Sequence, residues 1–153
     1  AAPRPFADTN TRGGSTMFEV VYYSMTGNTK KVAEAIAAEL DVVAENVKSK
    51  SKLDEESVVF LGAGLYGALW SWGFRRFIDR NRFDGRRVAL FGTSGEGKGK
   101  EVGDLEEAVT ARGAEIVGKF HCRGRFLFFV NPTRPSSEDL EAARAFAREV
   151  GGG

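Results

Sequence analysis

Cysteine and histidine are nearly absent from this chain, and so is any surplus of charge. One cysteine, Cys122, leaves no internal disulfide framework and fits a reducing, cytoplasmic compartment. One histidine, His121, beside that cysteine gives neither a zinc ligand set nor a hydrolase triad. A formal net charge of +1 gives nucleic-acid binding no electrostatic support. No apolar run approaches the roughly 18 residues of a membrane-spanning helix, and the start does not resemble a signal peptide. With 153 residues the chain fits one domain with a sizeable core.

What is present is ordered. Residues 1–16 lack periodicity and read as a disordered extension or expression remnant, and 151–153 as a tail; the domain is expected over 17–150. From Met17 onward short apolar runs alternate with helical patterns, the signature of crossover units on a parallel sheet. "MFEVVYY" is the first strand. In "NTKKVAEAIAAEL", Val32, Ala35, Ile36 and Leu40 recur at helical spacing. A weak strand, "VVAENV", comes next. "SVVFLGAG" and "RRVALFGTS" are continuous apolar runs ending in Gly or Ser, as in strands buried on both faces. Between them "WSWGFRRFIDRNRF" is helical. "KEVGDLEEAVTARG" is a helix stopped by Gly113, "AEIVGKFHC" a fifth strand, and "SSEDLEAARAFAREV" a helix capped by Ser136 or Ser137. The apolar "FLFFV" between them is a hairpin or a strand extension. Cys122 is expected as buried packing, with a redox thiol as the other reading.

Three polar, glycine-containing loops follow strands, at 24–29, 62–72 and 93–98, so all three open on one sheet edge, where parallel α/β folds bind ligands. In the first, Ser24, Met25, Thr26, Gly27, Asn28 and Thr29 lie between a strand end and a helix start. Outward main-chain amides, the helix dipole and three hydroxyls can hold a phosphate there, while Gly27 permits a positive φ. The plainer reading is a turn with Asn28 or Thr29 as N-cap.

The run Ser-Met-Thr-Gly-Asn-Thr resembles the phosphate-binding fingerprint of the flavodoxins, Thr/Ser-x-Thr-Gly-x-Thr, at all four specified positions. The resemblance extends in element order over most of Met17 to Val150. It implies a doubly wound α/β domain with a five-stranded parallel sheet in the order 2-1-3-4-5, and FMN as cofactor.

The second loop contains Gly62-x-Gly64-x-x-Gly67, formally a dinucleotide fingerprint. That reading is set aside because the unit is the third strand and the next strand ends without a ribose-binding acid. By resemblance, Gly64, Leu65, Tyr66, Gly67 and Trp70 belong to the loop that covers one face of the flavin. Tyr66 stands as the stacking ring, and Gly67 as a peptide whose flip gives a carbonyl to flavin N5 in one redox state only. A hydrogen bond of about 1 kcal/mol made in one state shifts a one-electron potential by roughly several tens of millivolts. Leu65, Leu69, Trp70, Trp72 and Phe74 are otherwise helix packing, the reading favoured for Trp72 and Phe74.

The third loop, Gly92 to Gly99, misses a triphosphate P-loop because Gly99 replaces the magnesium-ligating Ser or Thr. By resemblance Thr93, Ser94, Gly95, Glu96 and Gly97 bring amides to the pyrimidine edge of the flavin. The loop has no aromatic residue, so Trp70 takes the second ring face or that face stays open.

No catalytic acid, base or metal ligand is assigned. The resemblance implies an electron carrier that serves redox partner proteins, expected as a monomer. The alternatives are an FMN-dependent reductase of a quinone, tetrapyrrole or other conjugated substrate, an activating module docked on a larger redox enzyme, and a phosphate-binding domain without flavin. Between Ala68 and Lys100 eight basic residues (Arg75, Arg76, Arg80, Arg82, Arg86, Arg87, Lys98, Lys100) face three acids. They are either a basic rim that favours acidic partners or solvated helix charges.

Overall fold

The computed structural model describes residues 17–24, 27–50, 52–64, 72–94, 99–123 and 134–152. The "FLFFV" segment lies outside them. Strands β1 (Phe18–Tyr23), β2 (Ala44–Asn46), β3 (Val58–Gly64), β4 (Arg87–Ser94) and β5 (Glu115–Arg123) and helices α1 (Asn28–Glu39), α2 (Trp72–Arg80), α3 (Lys100–Thr110) and α4 (Ser137–Gly152) follow in the order β1-α1-β2-β3-α2-β4-α3-β5-α4. All pairings are parallel and the strand order is β2-β1-β3-β4-β5. The chain therefore winds outward to β2, returns across β1, and continues through β3 to β5. Among the described residues no helix is long and apolar enough to cross a membrane.

Side chains of a strand alternate between faces, so each central strand has to supply two cores. On one face Val21, Val59, Leu61, Ala63, Val88 and Leu90 pack against Phe74, Phe77 and Ile78 of α2 and Val102, Leu105 and Val109 of α3. On the other, Val20, Tyr22, Phe60, Ala89, Phe91 and Cys122 meet Val32, Ala33 and Ile36 of α1 and Ala143, Phe146 and Ala147 of α4. Each fully buried Phe or Val contributes about 1.5–3 kcal/mol. Gly62 is part of this second core by absence: a Cβ there would lie 2.1 Å from the Phe91 ring, which occupies the space instead. Cys122 is buried in the same layer, and burial pushes its thiol up to about 12, which makes it packing rather than a redox group.

Helix ends depart from the periodicity where distant residues intervene. The apolar pattern extends α2 to Phe83, but the helix stops at Arg80. Asn81 turns its side-chain amide back to the Phe77 carbonyl (2.8 Å) and accepts the Leu53 amide (2.7 Å), and Phe83 leaves the helix for the core. At the start of α4 Ser136 is the cap: its Oγ accepts the Asp139 amide (3.2 Å) and Asp139 Oδ2 accepts the Ser136 amide (2.7 Å), a reciprocal capping box. That helix runs on through Gly152, so Gly151 and Gly152 form its last turn rather than a tail. β2 is half as long as its apolar run, a short edge strand that offers little to another chain.

Replacing Gly62 with Ala is expected to lower the unfolding free energy by about 1–3 kcal/mol in urea titrations, with part recovered when Phe91 is also changed to Leu. An unchanged midpoint would show that the ring yields freely. The native Cys122 thiol is expected to react with a disulfide reagent at about pH 8 at least about a hundredfold more slowly than the unfolded chain.

Candidate functional site

The order β2-β1-β3 makes β1 and β3 the strands between which the winding reverses, and folds of this kind bind ligands in a crevice beyond the carboxyl ends of such a pair. Tyr23 pairs with Ala63 and Gly64 with Thr93, so the residues that leave β1, β3 and β4 start at one level. Ser24 follows β1, Gly64 ends β3, and Thr93 and Ser94 end β4.

The first loop enters α1 without a side-chain cap. Gly27 is the N-cap, left-handed at φ 89°, and no described atom lies within 4 Å of the position its Cβ would take. The cap expected of Asn28 or Thr29 is thus a glycine one residue earlier. The Gly27 amide donates to Ser24 Oγ (3.0 Å), and the first backbone bond of the helix runs from the Lys31 amide to the Gly27 carbonyl (3.1 Å). Ahead of it come the first-turn amides of a helix that presents its positive dipole end to the crevice. A side chain at Gly27 would intrude on the space before those amides. Main-chain donors, a hydroxyl and clearance for a tetrahedral anion are together, so the donor set fits a phosphate ester.

Thr29 sits differently from its sequence reading. It is 2% exposed, with Oγ1 2.8 Å from Thr93 Oγ1. Its hydroxyl joins α1 to β4 inside the protein. Gly64 lies under this contact: a Cβ there would be 3.5 Å from Thr29 Oγ1 and 3.7 Å from the Thr93 carbonyl oxygen. One hydroxyl pair therefore ties together the roots of the first and third loops, with Gly64 packed beside it. Asn28 and Ser94 are also buried.

Of the remaining sequence-assigned residues, Met25, Thr26, Leu65, Tyr66, Gly67, Trp70, Gly95, Glu96 and Gly97 lie outside the described residues. The far end of the second loop is nonetheless placed. Phe74 is buried and meets Tyr23, the last residue of β1, edge-on with centroids 6.5 Å apart. Trp72, expected as packing, is 82% exposed at the head of α2. His121 and Cys122 take opposite faces of β5, with Cys122 buried and His121 exposed.

The basic rim does not survive as one surface. Arg82, Arg86 and Arg87 precede or open β4, at the amino edge of the sheet, away from the crevice. Arg86 is buried there, donating from Nε to the Arg82 carbonyl (2.7 Å) and from Nη1 to the Asp54 (2.8 Å) and Ser57 (3.1 Å) carbonyls. Ser57 in turn donates to Glu19, which also pairs with Lys50 at 2.8 Å. Arg75 and Arg76, in the first turns of α2, are exposed and line the groove between α2 and α3.

One site-side residue escaped the sequence reading. Glu101, in the first turn of α3, looks like an ordinary acid favoured by a helix dipole. It is in fact 3% exposed, and among the described residues neither carboxyl oxygen has a hydrogen-bond partner. Burial raises its pKa above the usual carboxylate range, against the pull of its own amide and of His121. The only advance signal was its position directly after a glycine-rich loop.

Comparison with known proteins agrees with this arrangement. A family model described as "Flavodoxin domain" matches residues 19–133. The flavodoxin of Clostridium beijerinckii is 38% identical over 111 residues, which cover 65% of this chain and 80% of that protein. Among solved structures, the Streptococcus pneumonia flavodoxin superposes with a TM-score of 0.68 at 19% identity, over 90% of this chain and 99% of that one. Rubredoxin oxygen:oxidoreductase from Desulfovibrio gigas superposes with a TM-score of 0.60 at 15% identity, over 92% of this chain but 37% of that one, so the fold also occurs inside a longer redox enzyme. The strand order agrees with that assignment, and the family match over most of its length shows that the chain belongs to the flavodoxin family, whose members bind a flavin.

Proposed function

We propose that this chain binds FMN noncovalently and carries electrons between redox proteins. The observation that carries the reading is the left-handed, uncapped Gly27 at the head of α1, open to the crevice between β1 and β3. Ser24 to Thr29 would hold the phosphate, chiefly through main chain. Gly64, Leu65, Tyr66, Gly67 and Trp70 would border one face of the ring, and Thr93 to Gly97 its pyrimidine edge. Bound there, FMN supplies one- and two-electron chemistry. The protein's share is orientation and electrostatics. The Thr29–Thr93 contact keeps the first and third loops in a fixed relation, and the Tyr23–Phe74 contact holds the second loop's exit beside them.

The partner surface is proposed to be the head of α2, where the exposed Trp72 stands next to Arg75 and Arg76. An aromatic residue flanked by guanidinium groups suits an acidic partner. A second reading draws on the third loop, which has no aromatic residue to cover the other ring face. An open face suits direct reduction of a conjugated small molecule. Turnover of a quinone by the isolated holoprotein with a chemical reductant, unaided by a second protein, would favour that reading over a carrier.

Apoprotein titrated with FMN is expected to quench flavin fluorescence with submicromolar affinity, and Gly27→Ala to weaken binding by about tenfold, since a left-handed alanine costs about 1–2 kcal/mol. Failure of the wild-type chain to bind FMN would overturn the proposed function. Reversing Arg75 and Arg76 to Glu is expected to slow oxidation of the reduced holoprotein by ferricyanide about threefold to tenfold at low salt, and to speed oxidation by a cationic cobalt complex. Both changes should fade as added salt shortens the Debye length.

A further inference from the structure

The exposed residues of α2 recur at helical spacing, Trp72, Arg75, Arg76, Asp79 and Arg80. Along α3 and its C-cap, Asp104, Glu107, Ala108 and Ala111 do the same. Both helices pack on one face of the sheet. Neighbouring helices on a face usually close on each other by seating such stripes ridge into groove. These two leave a groove of about 720 Å³ between them, lined by both stripes. Phe74 and Ile78, both buried, form its floor, and Ala108 and Ala111 are too short to fill it. Among the described residues one ion pair crosses it, Arg112 Nη2 to Asp79 Oδ1 at 2.8 Å, and that joins the trailing ends of the helices. Toward their heads the groove is unbridged.

Its charges are unevenly matched. Asp79 is taken by Arg112, and Asp104 by Lys100 on its own helix at 3.1 Å. Arg75, Arg76 and Arg80 have no ion-pair partner among the described residues, and Glu107 is the one acid of the lining in the same position. The α2 wall is therefore a row of unmatched guanidinium groups above an apolar floor. Trp72, 82% exposed, stands at the open end of that row. Trp and Arg are the side chains that most often dominate the energy of protein interfaces. Small-molecule pockets are mostly apolar with a few polar groups, whereas both walls here are charged along their length, which suits a protein segment better. An anionic membrane fits less well, since the groove is concave and its α3 wall carries Asp104 and Glu107.

We propose that this groove docks an amphipathic helix of a partner protein, apolar along the ridge that enters over Phe74, Ile78 and Ala108 and acidic along the flank that meets Arg75, Arg76 and Arg80. With α2 about 13 Å long, two to three turns of such a helix span it. The proposal rests on the partner reading above, which it extends from the head of α2 along the whole helix, and it needs no flavin.

The test uses the full chain, with and without FMN, and a fluorescein-labelled peptide of about 20 residues, long enough to be helical, with Leu at i, i+3, i+4 and i+7, Glu on one flank and Gln elsewhere. Fluorescence anisotropy is expected to show micromolar binding in both forms of the protein, weakening with added salt. Arg80→Glu and Ala111→Phe, at exposed positions, are expected each to weaken it by about tenfold with unchanged urea midpoints. A peptide with Lys in place of Glu is expected not to bind. In amide NMR spectra the peptide is expected to shift Ala108, Ala111 and the α2 residues while leaving α1 and α4 in place. No binding to the wild-type chain, shifts confined to α1 and α4, or binding to phosphatidylglycerol vesicles but not to the peptide would overturn the proposal. If Arg75→Glu and Arg76→Glu weaken binding but Arg80→Glu and Ala111→Phe do not, the groove is overturned and the partner surface stays at the head of α2. Peptide binding by a chain that fails to take up FMN would sink the FMN reading alone.

Discussion

Two-sided burial of β1, β3 and β4 is the constraint from which the rest follows. Strands whose residues are apolar on both faces need a helical layer on each side, and parallel pairing sends every crossover from the carboxyl edge to the amino edge. The chain has no choice but to turn at the end of each strand, so its polar, glycine-bearing segments collect on one rim. The winding reverses between β1 and β3, which sets the place for a crevice before any residue is chosen to line it.

On that rim the division of labour is between groups that support and groups that face outward. Thr29 and Thr93 join as a strut, 64 positions apart and 2.8 Å in space. The opposite edge is closed by different means. Arg86 gathers carbonyls from three places in the chain, so a residue counted as surface charge is internal scaffolding. Among the described residues, Arg75 and Arg76 near the head of α2 remain exposed charges.

Much of this was legible beforehand. The apolar runs of β3 and β4, the helical spacing of Val32, Ala35 and Ile36, and the Ser24–Thr29 fingerprint each reflect local chemistry, which a sequence displays directly. Strand order came from resemblance to a family and not from the residues. What stayed hidden depended on partners remote in the chain: Asn81, which ends α2 while accepting the amide of Leu53, Arg86 beneath Ser57, and Glu101, whose burial follows from a glycine on another element. Trp72 misled for the converse reason, since an aromatic residue at helical spacing reads as core while the helix turns it to solvent.

The uncapped head of α1 carries a further implication. The phosphate grip proposed there, assembled from peptide dipoles and an alcohol, has no ionisable member, so acidity within the physiological range would leave its strength as it was. Whatever sensitivity to acidity the loaded protein displays has to enter through the ligand's own ester or through side chains elsewhere along the rim.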